Sequence, residues 1–97
     1  MAFVVTAKWT AKQGEEEAVT AAIEKLIPLS RAEPASLLYQ VHRDPEDPRV
    51  FFFYEQYEDQ AGYEAHGASA HFQEHGFGDA VPRLESRERA FYVTWDP

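Results

Sequence analysis

The 97-residue chain carries 17 acidic and nine basic residues, and its formal charge of −8 repels phosphate backbones and anionic lipid, so neither nucleic acid nor membrane is an expected partner. Without cysteine it has no disulfide, no thiolate nucleophile and no Cys-based zinc or iron–sulfur centre. A hydrophobic content of 44 %, with seven Phe, five Tyr and two Trp, suffices for one core, excludes a disordered tail and predicts a single domain over residues 1–97.

Phe3, Val5, Ala7 and Trp9 alternate with Val4, Thr6, Lys8 and Thr10, the period of two that marks a strand. The same N-terminal segment lacks the basic-then-apolar layout of a secretory signal, and no stretch approaches the roughly 20 apolar residues that span a bilayer, so a cytoplasmic location is expected. Beyond the turn at Lys12–Gly14, the residues Val19, Ala22, Ile23, Leu26, Ile27 and Ser30 recur at helical spacing. With Glu15, Glu16 and Glu17 at the positive end of the dipole, this predicts a helix over 14–32. Pro28 predicts a kink or an early end to it.

Leu37–Arg43 and Val50–Tyr57 read as a hairpin joined by the turn-forming run Asp44-Pro45-Glu46-Asp47-Pro48. Asp59 is a plausible N-cap for a helix to His66, and Ser69 caps a second short helix to His75, which Gly76-Phe77-Gly78 is expected to break. A further helical turn over Asp79–Leu84 leads into the alternating segment Arg87–Trp95, the fourth strand. The order β-α-β-β-α-β predicts an α+β domain of ferredoxin-like topology with a four-stranded antiparallel sheet. Phe51-Phe52-Phe53-Tyr54 places rings on both sheet faces, each worth roughly 1.5–3 kcal/mol when buried. Two helices cover only one face, so the other predicts a homodimer.

The segment from Glu55-Gln56-Tyr57-Glu58-Asp59 to Ala65-His66-Gly67-Ala68-Ser69-Ala70-His71-Phe72 resembles the antibiotic biosynthesis monooxygenase family. The shared pattern is a Glu near the end of the third strand, an acidic turn, and a helix carrying Ala-His, a small-residue step and His-Phe. Glu33-Pro34, Leu38-Tyr39 and His42-Arg43-Asp44-Pro45 extend the resemblance over nearly the whole chain. It implies a dimeric α/β-barrel with a pocket between sheet and helices, and a cofactor-independent oxygenase of phenols or quinols. The fold also hosts haem-degrading relatives, but their Asn, Trp and His fall at Ala7, His66 and Gly76 here, so no haem is expected.

An electron-rich phenol, once deprotonated, can itself pass an electron to O2, so the protein needs only a base and a dry pocket. In water a phenol ionises near pH 10 and imidazole near 6.5, so an uncharged His serves as base if nearby donors stabilise the phenolate. His66 and His71 are the candidate bases, with Tyr57 or Tyr63 orienting the substrate oxygen. Trp9, Phe53, Glu55, Phe72 and Phe77 are the candidate binding residues for a small aromatic substrate.

Each candidate also has a structural reading: His66 hydrogen-bonded to Glu55, and the rings as plain core. His42 and His75 read as solvated. His71 and His75 would share an unbroken helix face, with Glu74 or Glu55 nearby, but no local motif supplies a third ligand and no metal is predicted. The alternative functions are a non-oxidative isomerase or lyase acting α to a carbonyl, and a small-molecule-binding dimer without turnover. Phosphate-loop, serine-elbow and paired-acid motifs are missing from the sequence.

Overall fold

The computed structural model describes residues 1–96. Strands β1 (Phe3–Ala11), β2 (Ser36–Arg43), β3 (Val50–Tyr57) and β4 (Leu84–Val93) form one antiparallel sheet in the order β2-β3-β1-β4. Helix α1 (Glu16–Arg31) follows β1; α2 (Gln60–Ala68), the π-helical α3 (Phe72–Ala80) and a 3-10 turn at Val81–Arg83 separate β3 from β4. This is the expected ferredoxin-like arrangement. Among the described residues no helix is long and apolar enough to cross a membrane.

The predicted apolar face of α1 is the face that packs: Val19, Ala22, Ile23, Leu26 and Ser30 are buried against Trp9, Phe51 and Phe53 of the sheet and Phe72 of α3. Acidic Glu16 and Glu17 lie in its first turn and Arg31 in its last, both favourable to the helix dipole. The early end expected at Pro28 does not occur, and the helix runs to Arg31. Pro28 stands in the last turn, where its missing N–H forfeits a single ladder bond, and its carbonyl still accepts from Ala32 N at 3.2 Å.

The caps of the second helical region fall as predicted. Asp59 Oδ1 accepts from Gly62 N at 2.9 Å, and Ser69, extended at ψ 152°, accepts from Phe72 N at 3.2 Å through its hydroxyl. The break expected at Gly76-Phe77-Gly78 is not found, because α3 continues to Ala80. Its wide turn presses these glycines onto their neighbours: an added Cβ would lie 3.0 Å from the Phe72 ring at Gly76 and 2.9 Å from the Gln73 carbonyl oxygen at Gly78. The glycines therefore serve close approach rather than termination. The fourth strand begins at Leu84 and ends at Val93 rather than spanning the expected Arg87–Trp95, which leaves Trp95 outside the ladder and exposed.

Alternation divides β3 between two environments. Phe51, Phe53, Glu55 and Tyr57 are buried beneath the helices, whereas Phe52 on the opposite face is 40 % exposed. Its cross-strand partners on that face are Lys8 and His42, and Leu38 at 41 % and Tyr92 at 58 % exposed lie further along the same face. One sheet face thus holds the core, and the other is open, with Leu38, Phe52 and Tyr92 exposed among polar residues such as Lys8, Gln40 and Glu88.

Candidate active site

Between the helices and the covered sheet face lies a cavity of about 130 Å³. Trp9 reaches it from β1, Phe53 and Glu55 from β3, Tyr63 and His66 from α2, Phe72 and Phe77 from α3, and Arg87 and Arg89 from β4. Alternation explains the strand contributions, since Arg87 pairs with Trp9 and Arg89 with Ala7 on the helix-facing side of the sheet. The Arg87 guanidinium lies 5.4 to 5.9 Å from the ring centroids of Trp9, Phe72 and Phe77 and joins the three into one wall. Trp9 and Phe53 pack with centroids 4.5 Å apart, and Phe77 stands against Phe72 edge to face at 5.0 Å.

His66 is buried, and its partner differs from the one expected. Its Nδ1 lies 2.7 Å from Oε2 of Glu33, not against Glu55, and the same oxygen is 2.6 Å from Nε2 of His71. A carboxylate only accepts hydrogen bonds, so both facing imidazole nitrogens carry the hydrogen. A neutral His66 then keeps a bare Nε2, the nitrogen left for the cavity that its ring lines. Glu33 reaches this position because α2 packs closely on the loop after α1: an added Cβ at Gly62 would be 2.6 Å from Ala35 Cβ. One turn beyond Gly62, His66 meets Glu33. His71 shares Glu33 with its ring centroid 6.1 Å from that of His66 but does not itself line the cavity, and His75 Nε2 pairs with Glu74 Oε2 at 2.9 Å.

Glu55 is buried in the cavity wall and accepts a hydrogen bond of 2.6 Å from the Tyr57 hydroxyl. Burial pushes the Glu55 carboxyl above the usual carboxylate range, against the opposing effects of that hydrogen bond and of His66. Burial and the facing Glu55 likewise push the Tyr57 hydroxyl far above its ordinary value. Tyr57 is fully buried and directed at Glu55, whereas Tyr63 lines the cavity with its hydroxyl accepting from Arg89 Nη1 at 3.0 Å. Three buried side-chain polar atoms have no hydrogen-bond partner among the described residues, Ser30 Oγ, Trp9 Nε1 and Arg87 Nε, and the last two belong to residues that line the cavity. Burial and the neighbouring Arg89 pull the Arg87 guanidinium below its ordinary value. A buried unpartnered donor costs about 1–3 kcal/mol, a cost that an accepting ligand oxygen within reach would offset.

Glu33, Arg87 and Arg89 were not singled out in the sequence as site residues. Glu33 carried one signal there, the Glu33-Pro34 pair within the family pattern. The arginines carried only their place in the β4 alternation.

A family model described as antibiotic biosynthesis monooxygenase matches residues 2–76 of this chain. Among solved structures, a Pseudomonas aeruginosa protein is 28 % identical with a TM-score of 0.89, over 98 % of this chain and 95 % of that one. A Shewanella oneidensis protein is 30 % identical with a TM-score of 0.85, over 94 % and 88 % of the two chains. A crystal structure of an antibiotic biosynthesis monooxygenase is 23 % identical with a TM-score of 0.90, over 97 % and 99 %, a likeness of fold. No curated protein matches the chain.

Proposed function

The chain belongs to the antibiotic biosynthesis monooxygenase family, and from that premise we propose that it is a cofactor-independent monooxygenase oxidising a small phenolic or quinol-like substrate with O2. The observation that supports this most is the convergence, on one aromatic cavity, of a carboxylate-held His66 with the two unpartnered donors Trp9 Nε1 and Arg87 Nε. The cavity volume of about 130 Å³ is close to the roughly 150 Å³ that holds a benzene-sized ligand, which favours a single ring.

In this reading His66 Nε2 takes the phenolic proton while Trp9 and Arg87 bind the resulting oxyanion. The phenolate passes one electron to O2, and the two radicals couple to form a carbon–oxygen bond at a ring carbon bearing hydrogen. That carbon then loses its hydrogen as a proton, and the O–O bond breaks with uptake of protons. The balance is phenol plus O2 giving quinone plus water. Glu55, its carboxyl raised above the usual range by burial, stands in the cavity wall as a proton donor to the departing oxygen, and Tyr57 holds its carboxyl in place. Two copies of the open sheet face, centred on Phe52, cover one another in a homodimer.

The test is O2 uptake with single-ring hydroquinones and phenols, with anthrones as larger comparators, for wild type and His66→Ala. Uptake that His66→Ala abolishes supports the proposal. Absence of uptake above buffer on every compound overturns it, and turnover that persists without O2 assigns a non-oxidative isomerase or lyase instead.

A further inference from the structure

We propose that Glu33, His66 and His71 form an inhibitory site for a divalent transition cation such as Zn2+, which acts by reversing the tautomer of His66. The inhibitory part rests on the base role given to His66 above; the binding part stands by itself. Glu33 Oε2, His66 Nδ1 and His71 Nε2 lie within 4.8 Å of one another. Two imidazoles and a carboxylate are a donor set that Zn2+ takes in three-ligand sites, with water in the fourth position.

The two N···O separations of 2.7 and 2.6 Å are hydrogen-bond lengths. A tetrahedron with bonds of about 2.05 Å has edges of roughly 3.3 Å, so each N···O pair must open by about 0.6 Å and the two nitrogens, within 4.8 Å of each other, must settle at the same edge. Glu33 lies in the loop after α1 and His71 at the junction between α2 and α3, and their side chains are 13 % and 17 % exposed. Side-chain rotation there supplies the movement and leaves a water-accessible fourth position. An ion can therefore arrive from the Glu33 and His71 side without crossing the aromatic cavity.

The consequence for His66 follows from its having one hydrogen when neutral. With Glu33 as acceptor, the hydrogen is on Nδ1 and Nε2 is bare. A cation bonds Nδ1 through its lone pair, so the N–H bond at His66 Nδ1 is lost and one forms at its Nε2, while the hydrogen of His71 moves likewise from Nε2 to Nδ1, with no net change in protons. The cavity then meets a donor where it had a base.

Isothermal calorimetry with ZnCl2 on the full chain should give one Zn2+ per chain. Binding should weaken at least about tenfold in His71→Ala and in Glu33→Gln, and remain unchanged in His75→Ala. Far-UV circular dichroism checks that each variant is folded, and long-range 1H–15N spectra should show the His66 hydrogen moving from Nδ1 to Nε2 on saturation. O2 uptake should fall with Zn2+ and return with EDTA. No saturable binding, equal binding in folded His71→Ala and Glu33→Gln, or an unchanged His66 tautomer at saturation would overturn the site. If no substrate supports O2 uptake at all, the oxygenase reading fails, while calorimetry and the ring spectra still decide the cation site.

Discussion

Replacing Glu33 by Gln keeps the size of the side chain and removes its charge. One carboxylate oxygen now accepts from His66 at 2.7 Å and His71 at 2.6 Å. Charge-assisted hydrogen bonds contribute about 1.5–3 kcal/mol and neutral ones about 0.5–1.5, so two bonds lose roughly 2 kcal/mol together if the amide oxygen takes the same place. For a domain of this size 1 kcal/mol moves Tm by about 4–8 °C, so thermal melting should fall by roughly 8–16 °C. Activity should fall further than stability, because the amide no longer stabilises the imidazolium that forms when His66 accepts a proton. A fall in kcat of roughly 10²–10⁴ is expected, with KM within about twofold, since Trp9 and Arg87 still bind the substrate oxygen. The assay is steady-state O2 uptake below the variant's melting range. A folded Glu33→Gln enzyme with wild-type kcat, or a loss wholly in KM, refutes the role of Glu33 as the group that positions the base.

Phe52→Glu should split the proposed homodimer, since each copy removes a ring worth roughly 1.5–3 kcal/mol and sets like charges across the paired faces. Light scattering at micromolar concentration should then read near the 11.1 kDa monomer, whereas wild type reading as a monomer refutes the open-face argument. Gly62→Ala should destabilise by about 1–3 kcal/mol in urea unfolding, because its Cβ would meet Ala35 Cβ at 2.6 Å. Gly67→Ala in the same helix meets nothing within 4 Å and should stabilise by up to about 1 kcal/mol. The raised pKa of buried Glu55 means that the folded state holds a proton the unfolded chain has released. Its contribution to stability is complete below the ordinary Glu pKa of about 4.3 and is lost as pH rises through the folded value. Glu55→Gln should flatten that decline in melts taken across pH, and an unchanged slope contradicts a raised Glu55 pKa.

The elements governed by local rules were legible in the residues. Alternation gave the strands, the apolar face of α1 was named residue for residue, and Asp59 and Ser69 cap as their types predict. The errors have physical causes. Gly76 and Gly78 read as a helix stop by their conformational freedom, but their missing side chains provide room for Phe72 and a carbonyl. Glu33 lies 33 residues from His66, in a loop, and no spacing rule connects the two; the sequence left Glu55 as the nearest eligible carboxylate. Arg87 and Arg89 sat in a strand whose inward face was readable, but charged residues are ordinarily assigned to solvent. Only the ring wall around Arg87 shows why one is retained inside.

The most direct test uses the two tryptophan indoles as reporters in a 1H–15N correlation spectrum. Trp9 is buried in the cavity wall with its N–H unpartnered, and Trp95 is 94 % exposed. Saturation with a hydroquinone that supports O2 uptake should move the Trp9 indole proton downfield as it gains an oxygen acceptor, and leave Trp95 in place. A stationary Trp9 signal at saturation, or a shift of Trp95 alone, would place the ligand outside the cavity and contradict the account.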